Sequence, residues 1–322
     1  FTGFSGDDSL IFIDNKQAIV ITDSRYTLQA AAQSPECLVL EHTDGLWEAV
    51  RKLNFSGEKF GFDGDCFSYH DFQCLSSQLS SSTLSSISLV GLRSIKEEEE
   101  ITLIKKAVEI SDKAFEFMLN NLHEGMREIE AAALLEYEMR RLGSEGVSFP
   151  TIVASGVRSA LPHGIASSKV IERGDFVTFD FGAIYSGYHS DITRTVVIGS
   201  ASPWQHAIYE LVSEAQMLGI KNARAGITGT ELDAIVRSYI TNHGYGQYFG
   251  HGLGHGVGLD IHELPIASRR GKEKLENNMV VTVEPGIYIP CKGGVRIEDV
   301  IVIAPDGCNI LTNASKRLFE IN

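Results

Sequence analysis

Two pairs of acidic residues stand where the chain reads as apolar strand, and they constrain its fold more than any other feature. Phe176-Val-Thr-Phe-Asp180 is strand-like by its β-branched and aromatic content, and Asp180 interrupts it. Asp191-Ile-Thr-Arg-Thr-Val-Val-Ile198 reads as the return strand, with turn chemistry between at Tyr185-Ser-Gly-Tyr188. The midpoint of 180 and 191 is 185.5, inside that turn. A symmetric hairpin predicts Asp180 opposite Asp191, with Cβ atoms ~5 Å apart, a like-charge pair that destabilises a sheet. The pattern recurs downstream. Glu284 follows Val280-Val-Thr-Val283, Glu298 follows Gly294-Val-Arg-Ile297, and their midpoint, 291, falls within Pro290-Cys-Lys-Gly-Gly294.

Four acids in apolar strands need compensation, because an unpaired buried charge costs several kcal/mol. Arg194 and Arg296 offset at most two of them, whereas divalent cations offset all four. A histidine source is at hand in Gly250-His-Gly-Leu-Gly-His-Gly-Val-Gly258, followed by His262. Five glycines in nine residues exclude a helical H-E-x-x-H zinc site. Glycine also lets backbone approach a ligand closely. His163 lies in a turn-like segment, Ser159-Ala-Leu-Pro-His-Gly164.

Length and composition set the frame for these residues. A chain of 322 residues predicts roughly two domains. Its 43% hydrophobic and 22% charged residues allow a sizeable core. The net charge of −14 argues against a nucleic-acid partner, which requires a basic surface. There is no apolar run of ~18 residues, so no membrane partner is expected. Five scattered cysteines without a C-x-x-C pair predict free thiols in a reducing cytoplasm. The chain begins with Phe1, so its first domain is expected to be truncated at its start.

The boundary is expected near Leu92–Lys96, dividing residues 1–92 from 93–322. In the first part, Ser9–Asp14 and Ala18–Thr22 predict a hairpin, Tyr26–Gln33 a helix, and the serine-rich stretch Ser76–Ser88 a surface segment. The charged stretch Arg93–Glu100 opens a long amphipathic helix to about Asn120, with Glu97–Glu100 as its solvated first turn. An internal repeat follows. Gly125-Met-Arg-Glu-Ile-Glu130 recurs as Gly226-Ile-Thr-Gly-Thr-Glu231, and the same offset of 101 relates Gly143 to Gly244 and Ile110 to Leu211. It predicts two α/β halves related by pseudo-two-fold symmetry, with a site drawing on both hairpins.

Asp180-Phe-Gly182, Ser190-Asp-Ile-Thr-Arg-Thr195, Gly254-His-Gly-Val-Gly258, Glu284-Pro-Gly286 and Arg296-Ile-Glu-Asp299 together resemble the pita-bread dinuclear metallopeptidases over about residues 93–322. That family includes methionine aminopeptidases, Xaa-Pro aminopeptidases, Xaa-Pro dipeptidases and metal-free creatinases. Phe1-Thr-Gly-Phe-Ser-Gly6 and Thr22-Asp-Ser-Arg-Tyr-Thr-Leu-Gln-Ala30 resemble the N-terminal domain of aminopeptidase P. One departure is Asn277-Asn-Met279, where relatives often carry glycine before the Met; Asn also tolerates left-handed backbone. The resemblance implies an α+β chain, a pita-bread domain behind a smaller α/β creatinase-like domain.

The resemblance further implies two divalent ions. Asp180 would chelate one, His255 and Glu284 the other, and Asp191 and Glu298 would bridge. With four carboxylates and one imidazole, manganese is expected, with cobalt or zinc as alternatives. His163, His262 and Glu284 are expected to be catalytic. His251 and Arg296 are expected to face the substrate, with Arg296 also orienting Glu298 from two residues away. The implied function is a cytoplasmic, homodimeric Xaa-Pro aminopeptidase acting on proline-containing peptides. The alternatives are an Xaa-Pro dipeptidase (prolidase) and, from another class, a non-catalytic peptide-binding or scaffold relative.

Overall fold

The computed structural model describes residues 2–53 and 59–322. Phe1, the first residue of the Phe1–Gly6 motif, lies outside them. The chain forms two compact units, residues 1–89 and 90–322.

In the first unit, β1 (Leu10–Ile13) and β2 (Ala18–Thr22) form the expected antiparallel hairpin. Helix α1 (Thr27–Gln33) leads to β3 (Leu38–Glu41), which pairs parallel to β2. Helix α2 (Leu46–Lys52) precedes β4 (Lys59–Asp63), and α3 (Tyr69–Gln78) connects β4 to a parallel β5 (Thr83–Ile87). The serine-rich stretch thus contains a strand, and that strand is largely exposed. Ile19, Ile21, Val50 and Leu75 form the small core.

The second unit opens with α4 (Val90–Ser94), α5 (Glu98–Asn121) and α6 (Glu128–Arg141). Strands β6 (Ile152–Ser155), β7 (Phe176–Phe181), β8 (Ile184–Tyr185), β9 (Tyr188–His189) and β10 (Ile192–Ile198) follow. Next come α7 (Pro203–Asn222), α8 (Gly229–Asn242), β11 (Gly254–Gly256), β12 (Glu263–Ala267), β13 (Val280–Val283), β14 (Gly286–Ile289), β15 (Gly293–Arg296), β16 (Asp299–Ala304), β17 (Gly307–Ile310) and β18 (Glu320–Ile321). One sheet runs β18-β10-β7-β6 and the other β12-β11-β13-β16-β17.

The repeat is visible in the backbone. Helices α6 and α8 have bounds 101 residues apart at both ends, and Gly125/Gly226 and Gly143/Gly244 share positive φ angles of 90°/86° and 104°/85°. A Cβ there would meet open space, so it is the left-handed backbone itself that favours glycine at these turns. Each helix pair covers one face of one sheet. Phe115, Met118 and Leu135 pack on Val177, Phe179 and Val196, while Val212, Ala215 and Val236 pack on Val281, Val283 and Ile301. A separate stripe on α5, Ile101, Ile104 and Val108, reaches Val280, Val300 and Val302 of the second sheet.

Glu97–Glu100 form the expected solvated first turn of α5, while Lys96 just before them turns inward. Glu97 and Glu100 form an exposed capping box. Lys96, however, is buried and forms a salt bridge with Glu263, both side chains 1% exposed. A buried pair broken on one side leaves a charge poorly compensated, and here, among the described residues, only Arg93, 3.6 Å from the other Glu263 oxygen, would remain. Lys96→Ala is therefore expected to cost about 3 kcal/mol of stability, read as a shift in the urea midpoint. Replacing both partners, Lys96→Met with Glu263→Leu, should recover most of that loss.

Candidate metal centre

Strand periodicity places the acids. On β7, Val177, Phe179 and Phe181 turn to the helices, so Thr178 and Asp180 take the opposite face. On β10, Ile192 and Val196 turn to the helices, so Thr193 and Thr195 share the face that Asp191 continues. On β13, Val281 and Val283 face α7 and α8, which leaves Thr282 and then Glu284 inward. These polar faces meet. Glu298 N–H donates to Thr193 O at 3.2 Å, Thr193 Oγ1 donates to Glu298 Oε2 at 2.6 Å, and Thr195 Oγ1 donates to Arg296 O at 3.1 Å.

The register corrects one hairpin and supports the other. In the first, Thr193 pairs with Asp180, and the Ile184–His189 pair continues the same register to a turn centred between Ser186 and Gly187. Asp180 and Asp191 are therefore diagonal neighbours on one face, not directly opposite. In the second, Val283↔Asp299 and Gly286↔Arg296 bracket the acids, which puts Glu284 across from Glu298. The glycines around His255 also serve another purpose than a ligand. A Cβ on Gly254 would lie 2.0 Å from Thr282 O and one on Gly256 2.2 Å from Leu264 O, so these glycines let neighbouring strands close in.

The two arginines do not neutralise the set. Arg194 is buried, but its guanidinium serves Asp299 and the carbonyls of Thr193, Glu298 and Ala314. Arg296 pairs with Asp180, and it also donates to Tyr288 OH at 2.7 Å, Pro162 O at 3.1 Å and Thr193 Oγ1 at 3.0 Å. It reaches Glu298 through Thr193, whose Oγ1 accepts from Arg296 and donates to Glu298. Among the described residues no Lys or Arg side chain is bonded to Asp191, Glu284 or Glu298. Burial and the surrounding carboxylates hold the pKa of Asp191 and Glu284 well above the carboxylate range and push Glu298 up to about 8.

His255 completes the donor set. Its Nδ1 lies 3.1 Å from Gly256 O and donates there, which leaves Nε2 with its lone pair. That Nε2 stands 3.5 Å from Asp191 Oδ2 and 3.4 Å from Glu284 Oε1. Burial, then the neighbouring His262, lowers its pKa to about 4, so the ring is neutral near pH 7. A lone pair facing two carboxylates is repulsive unless a proton or a metal cation lies between them. Asp191 Oδ1 and Glu298 Oε1 are also buried without a hydrogen-bond partner. One donor atom each from Asp191, His255 and Glu298 lies within 4.8 Å of the others. Orphaned acceptors, neutral imidazole and oxygen-rich surroundings fit divalent cations.

The remaining expected residues line the same cavity of about 480 Å³, together with the apolar Phe149, Pro150, Ile152, Ile165 and Ile266. His163 and His262 are exposed at it. His262 stacks edge-on against His255 at 4.3 Å. His251 accepts from Tyr288 OH at Nε2, 2.8 Å away, and its Nδ1 donates to Gly252 O at 2.8 Å. Burial, then the Arg296 charge, lowers its pKa to about 4. Tyr288 and Thr193 escaped sequence reading, though both join the site's hydrogen-bond network. A signal existed for Tyr288: it pairs with Gly294, diagonal to Arg296, so its ring lies over a residue with no side chain.

Residues 102–305 match the model of metallopeptidase family M24, and residues 1–95 match the creatinase/prolidase N-terminal domain. The chain belongs to metallopeptidase family M24, with the pita-bread fold and hydrolase activity of that family. It is 53% identical over 227 residues to an Xaa-Pro dipeptidase of Pyrococcus horikoshii, covering 70% of this chain and 65% of that protein. Among solved structures it is similar to an Xaa-Pro dipeptidase from Bacillus anthracis, with TM-score 0.95 and 45% identity over 99% of this chain and 91% of the other. It is also similar to an X-Pro aminopeptidase from Thermotoga maritima, with TM-score 0.93 and 44% identity over 100% and 92%. The family implies divalent metals. Among the described residues no helix is long and apolar enough to cross a membrane.

These raised carboxylate pKa values carry a stability consequence. Above the ordinary histidine range, the folded chain without metal holds carboxyl protons that the unfolded chain has released. Below that range the buried, neutral His251 and His255 work the other way, because only the unfolded chain protonates them. The melting temperature of chelator-treated protein should therefore drop from about pH 7 to about pH 8, and a divalent cation should flatten that slope. Adding the cation near pH 7 in weak buffer should release protons, measurable by titration.

Proposed function

We propose that this chain is a two-cation exopeptidase that hydrolyses the bond between a first residue and a following proline, as an Xaa-Pro dipeptidase. The observation that carries the chemistry is the neutral His255 Nε2, 3.4–3.5 Å from two carboxylate oxygens, beside two carboxylate oxygens without partners. The dipeptide substrate rests on the likeness to Xaa-Pro dipeptidases.

In this reading Asp180 would hold one ion, His255 and Glu284 would hold the second, and Asp191 and Glu298 would serve both. Oxygen-rich ligation favours manganese, with cobalt or zinc as substitutes. When bound, such ions acidify water and polarise the substrate carbonyl. Glu284, whose carboxyl tolerates a proton, takes one from the nucleophile and passes one to the departing proline nitrogen. His163 and His262 donate to the carbonyl oxygen as it gains charge. His251, neutral and held by Tyr288, shapes the wall against which proline rests. Arg296 fixes Asp180 by one oxygen. Family likeness extends the reading to a cytoplasmic homodimer, whose mass sedimentation measures.

A second reading, Xaa-Pro aminopeptidase, is favoured by one feature of the cavity. Among the described residues its only Lys or Arg is Arg296, already bound to Asp180, so no free Lys or Arg there awaits a dipeptide's carboxylate. Cleavage of Xaa-Pro compared with Xaa-Pro-Yaa separates the two. A dipeptidase cuts the first at least roughly 10-fold better by kcat/KM, which corresponds to about 1.4 kcal/mol of transition-state discrimination. Glu298→Ala should remove most activity and lower metal stoichiometry. Full activity in that variant, at one bound ion or none, would overturn the ligand assignment.

A further inference from the structure

Among the described residues no strand pairs along the segment that carries His251. Phe249-Gly-His-Gly-Leu253 precedes β11, and two glycines flank the histidine. Its backbone is held instead by one ion pair on α8. Asp233 and Arg237, i and i+4, form a bidentate pair at 2.8 and 2.7 Å and are 2% and 12% exposed. Arg237 Nη1 donates to Phe249 O at 2.8 Å and Nη2 to His251 O at 2.6 Å. Asp233 Oδ1 accepts from Leu253 N–H at 3.1 Å. The ion pair thus supplies two donors and one acceptor to the backbone of residues 249, 251 and 253, across a segment that bends at His251 and Leu253.

The same guanidinium lies 4.1 Å over the Phe249 ring, which meets His251 edge-on at 5.1 Å. The His251 backbone and one face of its ring are both set by this contact. Leu253 O in turn accepts from Glu284 N–H at 2.9 Å. Glycines on either side give the histidine no backbone stiffness of its own.

We propose that Asp233 and Arg237 are positioning residues for His251, an ionic clamp on the backbone around it that fixes the imidazole against the substrate side of the cavity. This rests on the reading of His251 as a residue facing the substrate. A lysine at 237 keeps the charge against Asp233 but cannot fork across three groups.

The test is a double-mutant cycle on the metal-loaded full chain, with Ala-Pro and Ala-Pro-Ala as substrates, using Arg237→Lys and His251→Ala. Arg237→Met serves as a second variant. On the better substrate, Arg237→Lys is expected to lower kcat/KM roughly 10-fold or more, since small misplacements in a site are costly. In the His251→Ala background it should add almost nothing, while metal content by plasma mass spectrometry stays at the wild-type value. Equal losses in both backgrounds, an unchanged kcat/KM for both Arg237 variants, or metal loss in step with activity would each overturn the proposal. If His251→Ala itself leaves both substrates untouched, the reading of His251 fails and this inference falls with it. Loss of activity in His251→Ala with an additive Arg237 effect sinks the inference alone.

Discussion

Mutual repulsion among buried carboxylates is the constraint on which the second unit depends. Each half turns an apolar face to its own helices and a polar face to the other half. The only way to close those polar faces is to bring Asp180, Asp191, Glu284 and Glu298 together. Hydrogen bonds between Thr193 and Glu298, and between Thr195 and Arg296, knit the halves at that seam. A seam so arranged is stable when positive charge lies within it, and one arginine on Asp180 covers only part of the deficit. Cations therefore belong to the folding argument as well as to the catalytic one.

The internal repeat makes such a seam, and its imperfection makes the site asymmetric. Duplicated helix pairs deliver two similar ribbons to one place. The first ribbon carries the shorter aspartates diagonally; the second carries the longer glutamates face to face. His255 comes only from the second half, on β11, and Arg296 from the second ribbon reaches across to Asp180 of the first. Opposite sides of a pseudo-symmetric centre thus meet different chemistry, a neutral imidazole on one and an arginine-held carboxylate on the other. A substrate with distinct amino and carboxyl ends needs such an inequality.

Much of this was legible in the chain because period two and period 3.6 are read directly from side chains. The acids interrupting strands, the glycine-rich histidine loop and the 101-residue repeat survive in the fold almost as read, and α6 and α8 match that offset at both ends. What escaped reading was long-range. The first hairpin's turn lies one residue later than symmetry about the two aspartates suggests, which moves Asp180 from opposite Asp191 to its diagonal. Lys96 sits in an acidic run that reads as solvated, yet it is buried because Glu263, 167 residues on, is buried too. Neither local pattern nor propensity encodes such a partner. Arg194 and Arg296 looked equivalent in sequence, and only the fold shows that one serves carbonyls and Asp299 while the other serves the site.

Around the unneutralised centre lie three buried ion pairs that are themselves well satisfied, and each grips backbone near a site residue. Arg194 with Asp299 holds the carbonyls of Thr193 and Glu298. Arg237 with Asp233 holds the carbonyl of His251 and the amide of Leu253. Lys96 with Glu263 holds the carbonyl of Ser94 and the amide of Asp260, two residues before His262. Such pairs add little net stability over apolar replacements, but they are directional where packing is not. Side chains that repel one another would relax apart if the backbone beneath them were soft. Directional ionic grips on that backbone deny the relaxation, so the repulsion stays available to draw in a cation.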